Sequence, residues 1–359
     1  MRTFGFCIHP IDPRRDVKRK FPLLGRTLPL SWIHFLSRYF PPLYISQING
    51  LRSQTDVEAQ GWFVACPMTP ERLLTVPTRV AYNKIVRTGQ LAQRLGAQIL
   101  GLGAFTHVVG DAGLTIDRRL DIPITTGGSY TVAISVQAVR AAAERLELDL
   151  SRATVAVVGA AGAVGRVSAR LLARECARMA LVGLPRHVGR LRSIQAEIED
   201  EGGAQTWTTA DPAAVREAGA VVTVTSSVTP VIEPAHLRSG AIVVDVARPR
   251  NVSRQVAQAR DDVLVIEGGM VAVPGPELDF GFDFGFPPRM AYACMAEVMI
   301  LALEGRMESY SLGRDLSVDQ VLEMEALGAK HGFQLGGFRS FGRAVTDREI
   351  ERVRQAIKT

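Results

Sequence analysis

A short apolar strand that runs straight into closely spaced glycines is the feature that most constrains this fold. Residues 154–158 read TVAVV, and the turn that follows, Gly159-Ala-Ala-Gly162-Ala-Val-Gly165, opens a helix. Gly159 permits a tight turn, Gly162 leaves room for a pyrophosphate, and Gly165 lets the helix approach the strand. The N–H groups that begin the helix attract phosphate, so the turn predicts a dinucleotide site. We expect cofactor contacts along this turn, at Gly159, Gly162, Ala163, Val164 and Gly165.

The glycine spacing is GxxGxxG rather than the stricter GxGxxG, so the elements around it matter. Four further short apolar runs follow, each after a stretch with helical character: 180–182, 220–225, 241–246 and 263–266. Short apolar strands separated by helices are typical of a parallel sheet covered on both faces. The sequence therefore predicts an α/β chain with a Rossmann-type doubly wound parallel sheet over residues 151–286. Its first helix is predicted to reach about Met179.

The second strand of this domain favours one nicotinamide cofactor over the other. An NAD site places Asp or Glu at the end of that strand, where the carboxylate binds the ribose hydroxyls. Here residues 181–187 read LVGLPRH, without an acid, and Arg186 is placed to pair with a 2′-phosphate, with Arg190 in support. These residues predict NADPH. Thr225 and Ser226, after the fourth strand, are expected near the nicotinamide.

The residues before this domain also alternate between strand and helix patterns, which predicts an α/β domain over residues 1–150. The predicted strands are 61–66, 97–100, 105–109 and 122–126, and the predicted helices are 80–95 and one from Gly127-Gly128-Ser129 to Leu146. After the second domain, Pro287-Pro288 predicts a helix through Glu304. Further helices are predicted at 317–330 and after Thr346. We expect residues 287–359 to pack back on the first domain, which binds the substrate.

Composition narrows the class of protein without indicating an activity. A length of 359 residues suits two domains, and no run approaches the ~20 apolar residues of a membrane span. We find no signal-peptide pattern, and the four cysteines lack the spacing of zinc or disulfide sites, which suits a reducing cytoplasm. The net charge of +6 either serves solubility alone or favours an acidic partner, which could be nucleic acid, an anionic membrane surface or an acidic carrier protein; no nucleic-acid motif is present. We therefore expect a cytoplasmic protein that binds no nucleic acid.

A basic stretch near the start, residues 28–48, has two interpretations. Several of its side chains have the spacing of one helix face, and Pro41-Pro42 would end the helix. The residues on that face are Trp32, Phe35, Leu36, Tyr39 and Phe40. Such a face usually packs in a core, which is the favoured interpretation. The alternative is a surface that touches a membrane or acyl chains, as a peripheral contact.

Cys294 is a candidate nucleophile with weak support from the residues alone. Its neighbours on the predicted helix face are mostly apolar: Met290, Ala291, Glu297, Val298 and Leu301. A free cysteine among such neighbours is usually buried and inert. In a helix that begins at Pro287-Pro288, the thiol lies about two turns inside, too deep for the helix dipole to activate it.

Several blocks of sequence, in order along the chain, resemble the long-chain acyl-carrier-protein reductases, the aldehyde-forming enzymes best known from cyanobacteria. The blocks are LGAFTHVVGD (102–111), TTGGSYT (125–131), VAVVGAAGAVG (155–165), AYACMAEVMILALEG (291–305) and KHGF (330–333). The likeness extends from about residue 45 to about residue 335. The segments before and after these positions are less similar.

The resemblance implies that Cys294 is the acylated nucleophile, which reverses the interpretation above, and that NADPH is the reductant. It implies substrate contacts in the first two blocks, at Gly103, Phe105, Thr106, Thr126, Ser129 and Tyr130, the last three near a developing oxyanion. The chain departs from the family at Gly128, where the family has asparagine. It also departs around Leu184-Pro185, where this chain carries extra residues, so the alignment does not fix which family position corresponds to Arg186.

The resemblance also implies partners. These are an acidic acyl carrier protein, which suits a basic enzyme, and an aldehyde-consuming enzyme. It leaves stimulation by Mg²⁺ open, although the sequence contains no evident carboxylate cage and we assign no metal ligand.

Two other functions stay open. A shikimate- or amino-acid-type dehydrogenase has the same two-domain layout but acts on a small substrate. It would use a Lys–Asp pair, for which Lys84 with Asp111 or Asp121 are candidates, and it would tolerate loss of Cys294. A non-catalytic NADPH-sensing protein would bind the cofactor and a partner without turning over a thioester.

Overall fold

The computed structural model describes residues 1–358, apart from the side chains at positions 24 and 25. The strands are β1 (Arg2–Ile8), β2 (Leu43–Arg52), β3 (Glu58–Ala65), β4 (Leu100–Leu102), β5 (Ile124–Thr125), β6 (Thr154–Val158), β7 (Arg178–Val182), β8 (Gln205–Thr209), β9 (Ala220–Thr223), β10 (Ile242–Asp245), β11 (Leu264–Glu267), β12 (Met270–Ala272), β13 (Met290–Tyr292), β14 (Gln334–Leu335), β15 (Arg339–Ser340) and β16 (Arg343–Ala344). The helices are α1 (Pro13–Lys20), α2 (Pro22–Thr27), α3 (Leu30–Ser37), α4 (Pro70–Thr75), α5 (Thr78–Arg94), α6 (Phe105–Val108), α7 (Leu114–Asp117), α8 (Gly128–Leu146), α9 (Ala163–Leu172), α10 (Val188–Asp200), α11 (Arg254–Ala259), α12 (Ala293–Glu304), α13 (Val318–His331) and α14 (Asp347–Lys358). Short 3-10 turns lie at Leu150–Arg152, Pro185–His187, Pro212–Glu217 and Pro234–His236.

The chain divides into two compact units. The first unit comprises residues 1–130, 271–315 and 323–334. The second comprises residues 131–270, 316–322 and 335 onward.

The second unit contains a parallel six-stranded sheet in the order β11-β10-β9-β6-β7-β8. β6 is central because TVAVV is apolar almost throughout, and every residue of it after Thr154 is buried. The strand order reverses at β6, between its neighbours β9 and β7, which makes the sheet doubly wound. Sheets of this kind bind ligands outside the carboxyl ends of the strands at that reversal. The predicted Rossmann-type sheet is confirmed.

The helix after the glycine turn is shorter than the sequence predicts. α9 ends at Leu172, and Arg178 already pairs with Thr154 in the parallel register of β7 on β6. No glycine or proline between residues 173 and 178 marks this end in the sequence. The prediction that the helix reaches about Met179 is therefore wrong, because Met179 lies in β7.

The first unit contains a five-stranded sheet in the order β2-β3-β1-β4-β5, in which β2 runs antiparallel to β3 and the other pairs are parallel. α12 packs closely on this sheet, since a Cβ on Gly101 in β4 would lie 3.0 Å from Val298 Cγ1. Every residue of α12 from Met295 to Leu303 is buried. This unit is also α/β, as predicted, and its sheet supports the helix that carries Cys294.

Residues 105–108 form helix α6 and not the strand that the sequence predicts. Ala104 has φ +42°, so the chain turns directly after β4. The Phe105 N–H donates to His9 Nε2 (3.0 Å) instead of pairing with a neighbouring strand. β4 spans Leu100–Leu102, so the strand predicted at 97–100 lies further along the chain than expected.

The helix that carries Cys294 begins later than predicted. Residues 290–292 form β13, Tyr292 is extended with φ −77° and ψ 150°, and α12 starts at Ala293. Pro287-Pro288 therefore precede a strand and do not open the helix. This correction moves Cys294 into the first turn of α12.

The favoured interpretation of residues 28–48 as a core-packing helix is wrong. α3 buries Ile33 and Ser37, while Trp32, Phe35, Tyr39 and Phe40 are exposed. Among residues 1–358, no helix combines the length and the apolar character needed to cross a membrane.

Candidate active site

Cys294 differs from the other cysteines in its exposure. Cys7, Cys66 and Cys176 are buried, whereas Cys294 is partly exposed. Burial raises the pKa of the Cys66 and Cys176 thiols to about 11. A cysteine nucleophile must both reach its substrate and lose its proton. The three buried cysteines are poorly suited to that role, and Cys294 meets the first requirement.

Cys294 is the second residue of α12, after the N-cap residue Tyr292 and Ala293. N–H groups in the first turn of a helix have no acceptor within the helix, and the dipole places positive partial charge there. A thiolate is stabilised at such a position. The expectation that the thiol lies too deep for the helix dipole is therefore wrong.

The turn before α8 packs directly against Cys294. Gly127 has φ +75°, and a Cβ placed on it would lie 2.3 Å from Cys294 Cα and 2.4 Å from Cys294 Cβ. Glycine alone allows both this backbone conformation and this close approach. Gly128, the next residue, begins α8. The N-termini of α8 and α12 therefore meet at Cys294.

Glu297 holds this arrangement together from one turn further along α12. Its side chain is fully buried; Oε1 accepts a hydrogen bond from Thr125 Oγ1, and Oε2 accepts one from the Tyr130 N–H (2.7 Å). Burial raises the pKa of Glu297, and these donors oppose that rise. The carboxyl group thus ties both ends of the turn to α12. Sequence reasoning named Glu297 only as a neighbour of Cys294, although a carboxylate in a run of apolar residues was the signal.

Thr126 and Ser129, both predicted to contact substrate, are buried and bonded to the protein. Thr126 Oγ1 donates to the carbonyl of Ser311, and Ser129 Oγ lies 2.7 Å from Ser311 Oγ. The Ser129 N–H also donates to Ser311 Oγ (3.1 Å). Their hydroxyls therefore fix the turn and are engaged with Ser311.

Tyr130, the third predicted substrate residue in this segment, is also buried. Its ring packs edge-on against Phe333, with the centroids 6.3 Å apart, and burial raises the pKa of its phenol. Within residues 125–130, Gly128 is the position that is not buried. The backbone at Gly128 is therefore the part of this segment that a substrate beside Cys294 can reach.

Gly103, Phe105 and Thr106, predicted from the LGAFTHVVGD block, lie in the interior at the carboxyl end of β4. Thr106 Oγ1 donates to the Gly103 carbonyl (2.7 Å), and the Phe105 ring packs edge-on against His9 at 5.9 Å. A Cβ on Gly103 would lie 2.9 Å from the Cys7 carbonyl oxygen. These contacts shape the end of the sheet.

The buried His9 makes stability depend on pH. Burial lowers the pKa of His9 to about 4, whereas an unfolded histidine has a pKa of about 6.5. As the pH falls from 6.5 to 4, the unfolded chain gains a proton that the folded chain does not, so stability is lost. We expect His9 to contribute a loss of about 2–3 kcal/mol over that range. In urea unfolding from pH 7 to 4, His9→Gln should show a shallower decline, and an unchanged slope would contradict this.

A row of aromatic rings leads to the start of α12. We call Phe282, Phe284, Phe286 and Tyr292 the aromatic strip. Successive ring centroids lie 4.9, 6.1 and 4.7 Å apart, and every ring of the strip is half-buried. The strip ends at Tyr292, the N-cap residue of α12, two residues before Cys294. It therefore offers a partly open apolar surface next to the thiol.

In the glycine turn of the second unit, the fold requires glycine at positions 159 and 165 but not at position 162. Gly159 has φ +93°, and a Cβ on Gly165 would lie 2.3 Å from the Gly159 carbonyl oxygen. A Cβ on Gly162 would meet, among the described atoms, only that same oxygen at an ordinary 3.4 Å. Gly162 is exposed at the N-cap of α9. Its lack of a side chain is explained by a pyrophosphate against the backbone, so the turn fits a dinucleotide.

Gly162→Val should therefore weaken dinucleotide binding without unfolding the protein. The added side chain fills the space left for the pyrophosphate, and we expect the Kd for NADPH to rise by about 100-fold. Thermal unfolding without cofactor should change by only a few degrees. Gly165→Ala is the matched variant and should lower the Tm much more, because its Cβ meets backbone. Equal NADPH affinity in Gly162→Val and wild type would argue against the site.

The remaining predicted cofactor residues lie beyond the carboxyl ends of neighbouring strands. Ala163 and Val164 begin α9 and are partly exposed, and Arg186 is exposed in the 3-10 turn after β7. Thr225 and Ser226 follow β9, and the Thr225 N–H donates to Asn251 Oδ1 (2.9 Å). β6, β7 and β9 are aligned so that Val158 pairs with Val182 and Thr223. The predicted residues therefore share one edge of the sheet.

The Lys–Asp pair that a small-substrate dehydrogenase would use is not formed. Lys84 Nζ donates to the Phe40 carbonyl (2.6 Å), and Asp111 accepts from Thr115 Oγ1 (2.6 Å). In the part of the chain that the structure describes, no hydrogen bond or ion pair joins Lys84 to Asp111 or Asp121. The same residues, 1–358, contain no group of three or more His, Cys, Asp or Glu side chains placed to hold a metal ion.

Comparison with protein families supports the assignment of the second unit. The family described as shikimate / quinate 5-dehydrogenase matches residues 140–267, which include the whole sheet from β6 to β11. The chain therefore has a nicotinamide-dependent dehydrogenase domain, and its fold is that of an oxidoreductase.

The proteins similar to this chain include two curated sequences and a solved structure. Aminotransferase PigE of Serratia sp. is 28% identical over 353 residues, which are 97% of this chain and 41% of that protein. The chain thus spans less than half of that relative. A long-chain acyl-[acyl-carrier-protein] reductase of Synechococcus elongatus is 31% identical over 313 residues, which are 82% of this chain and 87% of that protein. A quinate dehydrogenase from Corynebacterium glutamicum, in complex with NAD, is 14% identical, with 91% of this chain and 98% of that chain covered and a TM-score of 0.38.

Proposed function

The chain belongs to the long-chain acyl-[acyl-carrier-protein] reductase family, and we propose that it reduces long-chain acyl thioesters of acyl carrier protein to fatty aldehydes with NADPH. Acyl-CoA is the alternative thioester. Cys294 is the nucleophile, and the acyl group stays on its sulfur between the two chemical steps.

One observation carries this proposal. Cys294, the partly exposed cysteine, lies in the first turn of α12, where the N-terminus of α8 also arrives at Gly128. A sulfur at the meeting point of two helix N-termini is stabilised as a thiolate, and an oxyanion formed next to it is stabilised by the same N–H groups.

The first step transfers the acyl group to the enzyme. The Cys294 thiolate adds to the thioester carbonyl carbon and forms a new C–S bond. The bond from that carbon to the carrier's sulfur then breaks, and the carrier thiolate leaves and takes up a proton. While the carbonyl oxygen is negative, the N–H of Gly128 is the proposed donor to it. Glu297 acts as a positioning residue, because it holds the turn that presents this N–H.

The second step reduces the acyl-enzyme. When bound, NADPH supplies a hydride to the carbonyl carbon, and its proposed contacts are Gly159, Gly162, Ala163, Val164, Gly165, Arg186, Thr225 and Ser226. The Gly128 N–H again stabilises the negative oxygen that results. As that oxygen regains its double bond, the Cys294 sulfur is expelled as a thiolate, and the aldehyde is released.

The aromatic strip is the proposed site of the acyl chain near the thiol. Its half-buried rings form an apolar surface that ends two residues before Cys294. An alkyl chain laid along these rings removes both from water, which favours long chains over short ones by about 0.8 kcal/mol for each buried methylene. The buried residues Gly103, Phe105 and Thr106 support the sheet behind the site and are not proposed to touch the chain.

Arg186 is proposed to select NADPH over NADH. An arginine paired with the 2′-phosphate forms a charge-assisted contact that NADH cannot make. Arg186→Gln should therefore raise the KM for NADPH by about tenfold while the KM for NADH stays within a factor of two. The measurement is initial rates with each cofactor at saturating thioester. Equal changes for both cofactors would assign Arg186 a structural role.

Partners follow from the same proposal. An acidic acyl carrier protein delivers the thioester, and the aldehyde product calls for an aldehyde-consuming enzyme. Adding EDTA to the assay tests whether Mg²⁺ stimulates turnover.

The test of the function is a product assay. The purified protein is incubated with NADPH and either palmitoyl-carrier protein, palmitoyl-CoA or shikimate, and aldehyde, free thiol and NADPH are followed together. We expect palmitaldehyde, free thiol and oxidised cofactor in equal amounts from a thioester. Thiol release without aldehyde would indicate hydrolysis, and cofactor oxidation with shikimate but with neither thioester would favour a small-substrate dehydrogenase.

A further inference from the structure

The excess positive charge of the chain lies in its first 45 residues. Residues 1–45 contain eight Lys and Arg against two Asp, which gives +6. The chain has 42 Lys and Arg and 36 Asp and Glu in all, so 34 of each sign remain after residue 45. The net charge of the whole chain is therefore that of β1 and of helices α1 to α3.

α3 is anchored firmly along one side. Ile33 and Ser37 are buried, His34 Nδ1 lies 2.8 Å from Thr69 Oγ1, and Arg72 Nε donates to the His34 carbonyl (3.0 Å). Thr69 is the N-cap residue of α4 and Arg72 lies within that helix. α3 is thus docked on α4, and its orientation is set by these contacts.

The other side of α3 presents aromatic rings to solvent. Trp32 is 57% exposed, Phe35 51%, Tyr39 64% and Phe40 38%. The rings of Phe35 and Tyr39 lie next to each other, with centroids 5.5 Å apart. Four large rings exposed together form a patch of the kind that marks an interaction site.

Exposed cations lie on α1 and at the end of α3, and the Arg38 guanidinium carbon is 5.9 Å from the centroid of the Tyr39 ring. Arg14 and Lys18 lie on α1, which packs beside α3, and Arg38 follows α3 directly. Arg19, in contrast, serves the fold by donating to the Phe284 carbonyl (2.9 Å). We define the α1–α3 surface as Arg14, Lys18, Trp32, Phe35, Arg38, Tyr39 and Phe40.

We propose that the α1–α3 surface binds an anionic lipid bilayer, with the aromatic rings in the headgroup region and the cations on lipid phosphates. Trp and Tyr favour that region because their rings are partly apolar and partly polar. Each Lys or Arg near an anionic leaflet adds attraction. Aromatic rings also line protein interfaces, but rings at headgroup depth with cations beside lipid phosphates are the typical composition of a membrane-binding segment, which favours a bilayer. This inference does not rest on the proposed enzymatic function.

The test is sedimentation of the full chain with vesicles. Wild type should bind vesicles of phosphatidylcholine with phosphatidylglycerol, bind pure phosphatidylcholine much less, and release from the anionic vesicles as salt rises. The triple variant Trp32→Ala, Phe35→Ala and Tyr39→Ala should bind anionic vesicles at least about tenfold more weakly. Arg14→Gln with Lys18→Gln should cost about fivefold for each charge at low salt.

Matched controls lie elsewhere on the surface. Leu322 on α13 is 43% exposed and Arg348 on α14 is exposed, so Leu322→Ala and Arg348→Gln should bind vesicles like wild type. All variants should stay folded, with the Tm of the charge variants unchanged and that of the triple variant lowered by only a few degrees, because its three rings are about half exposed. Wild type that ignores anionic vesicles would overturn the proposal, as would a triple variant with unchanged binding. Loss of self-association in the triple variant, with no vesicle binding by wild type, would assign the surface to a second copy of the chain.

Discussion

Cys294→Ser lowers the rate of aldehyde formation by about four orders of magnitude or more, because the variant lacks the sulfur that carries the acyl group. The serine hydroxyl has nearly the same size but is not ionised at neutral pH, so the helix N-termini cannot turn it into an effective nucleophile. Since Cys294 is partly exposed, the Tm should stay close to that of wild type. Initial rates with palmitoyl-carrier protein and NADPH measure the effect.

The control for this prediction is another cysteine of the same chain. Cys176 is buried in the second unit. Cys176→Ala should form aldehyde within a factor of two of the wild-type rate when both proteins are assayed well below their Tm. A Cys294→Ser enzyme that retains a tenth of the wild-type rate would remove Cys294 from the chemistry. It would also favour direct hydride transfer to a small substrate.

Gly127→Ala should have the second-largest effect, although residue 127 supplies no side chain. At φ +75° an added Cβ is strained by about 1–2 kcal/mol. It would also lie 2.3 Å from Cys294 Cα, so the turn or the first turn of α12 must move. We expect a loss of about 3 kcal/mol in stability and a fall of at least about 100-fold in the rate of acylation. Urea unfolding and single-turnover acylation measure the two effects.

Gly202→Ala is the control that separates backbone strain at a positive φ from the displacement of Cys294 by an added Cβ. Gly202 has φ +70°, close to that of Gly127, but no atom lies within 4 Å of the Cβ that an alanine would add. It should therefore show the strain alone, about 1–2 kcal/mol, with normal acylation. If both variants lose the same stability and both acylate normally, the packing of Gly127 on Cys294 has no catalytic importance.

The sheet of the second unit could be predicted because its signals are local. TVAVV is apolar at every position after Thr154, and the glycine turn follows directly. The strand, the turn and the helix are therefore each indicated by neighbouring residues of the sequence. The end of α9 could not be predicted, because no glycine or proline marks it and the pairing of Arg178 with Thr154 decides where β7 begins. Pairing between distant residues sets that boundary.

The start of α12 was the error with the largest consequence. Pro287-Pro288 is a common way to open a helix, but the chain stays extended through Tyr292. The apolar run around Met290 fits a short strand as well as a helix, and periodicity cannot separate the two. The residues alone favour an inert Cys294, and only the likeness to a family names it as the nucleophile, whereas the structure places it in the first turn of α12, where a thiolate is stabilised.

The contacts that hold the site together were also beyond sequence reasoning. Glu297 meets Thr125 and Tyr130, and Ser311 meets Thr126 and Ser129, across about 170 to 190 positions of chain. One sequence signal pointed to the first set: a buried carboxylate in an apolar helix requires donors. No comparable signal marked Ser311, which is one serine among many.

The measurement that tests the nucleophile most directly is the intact mass of the protein after mixing with palmitoyl thioester in the absence of NADPH. Wild type should gain one palmitoyl group, Cys294→Ser should gain none, and addition of NADPH should remove the group from wild type as palmitaldehyde. The same adduct on Cys294→Ser, or wild type that forms aldehyde with no adduct at any time, would contradict a reaction through Cys294.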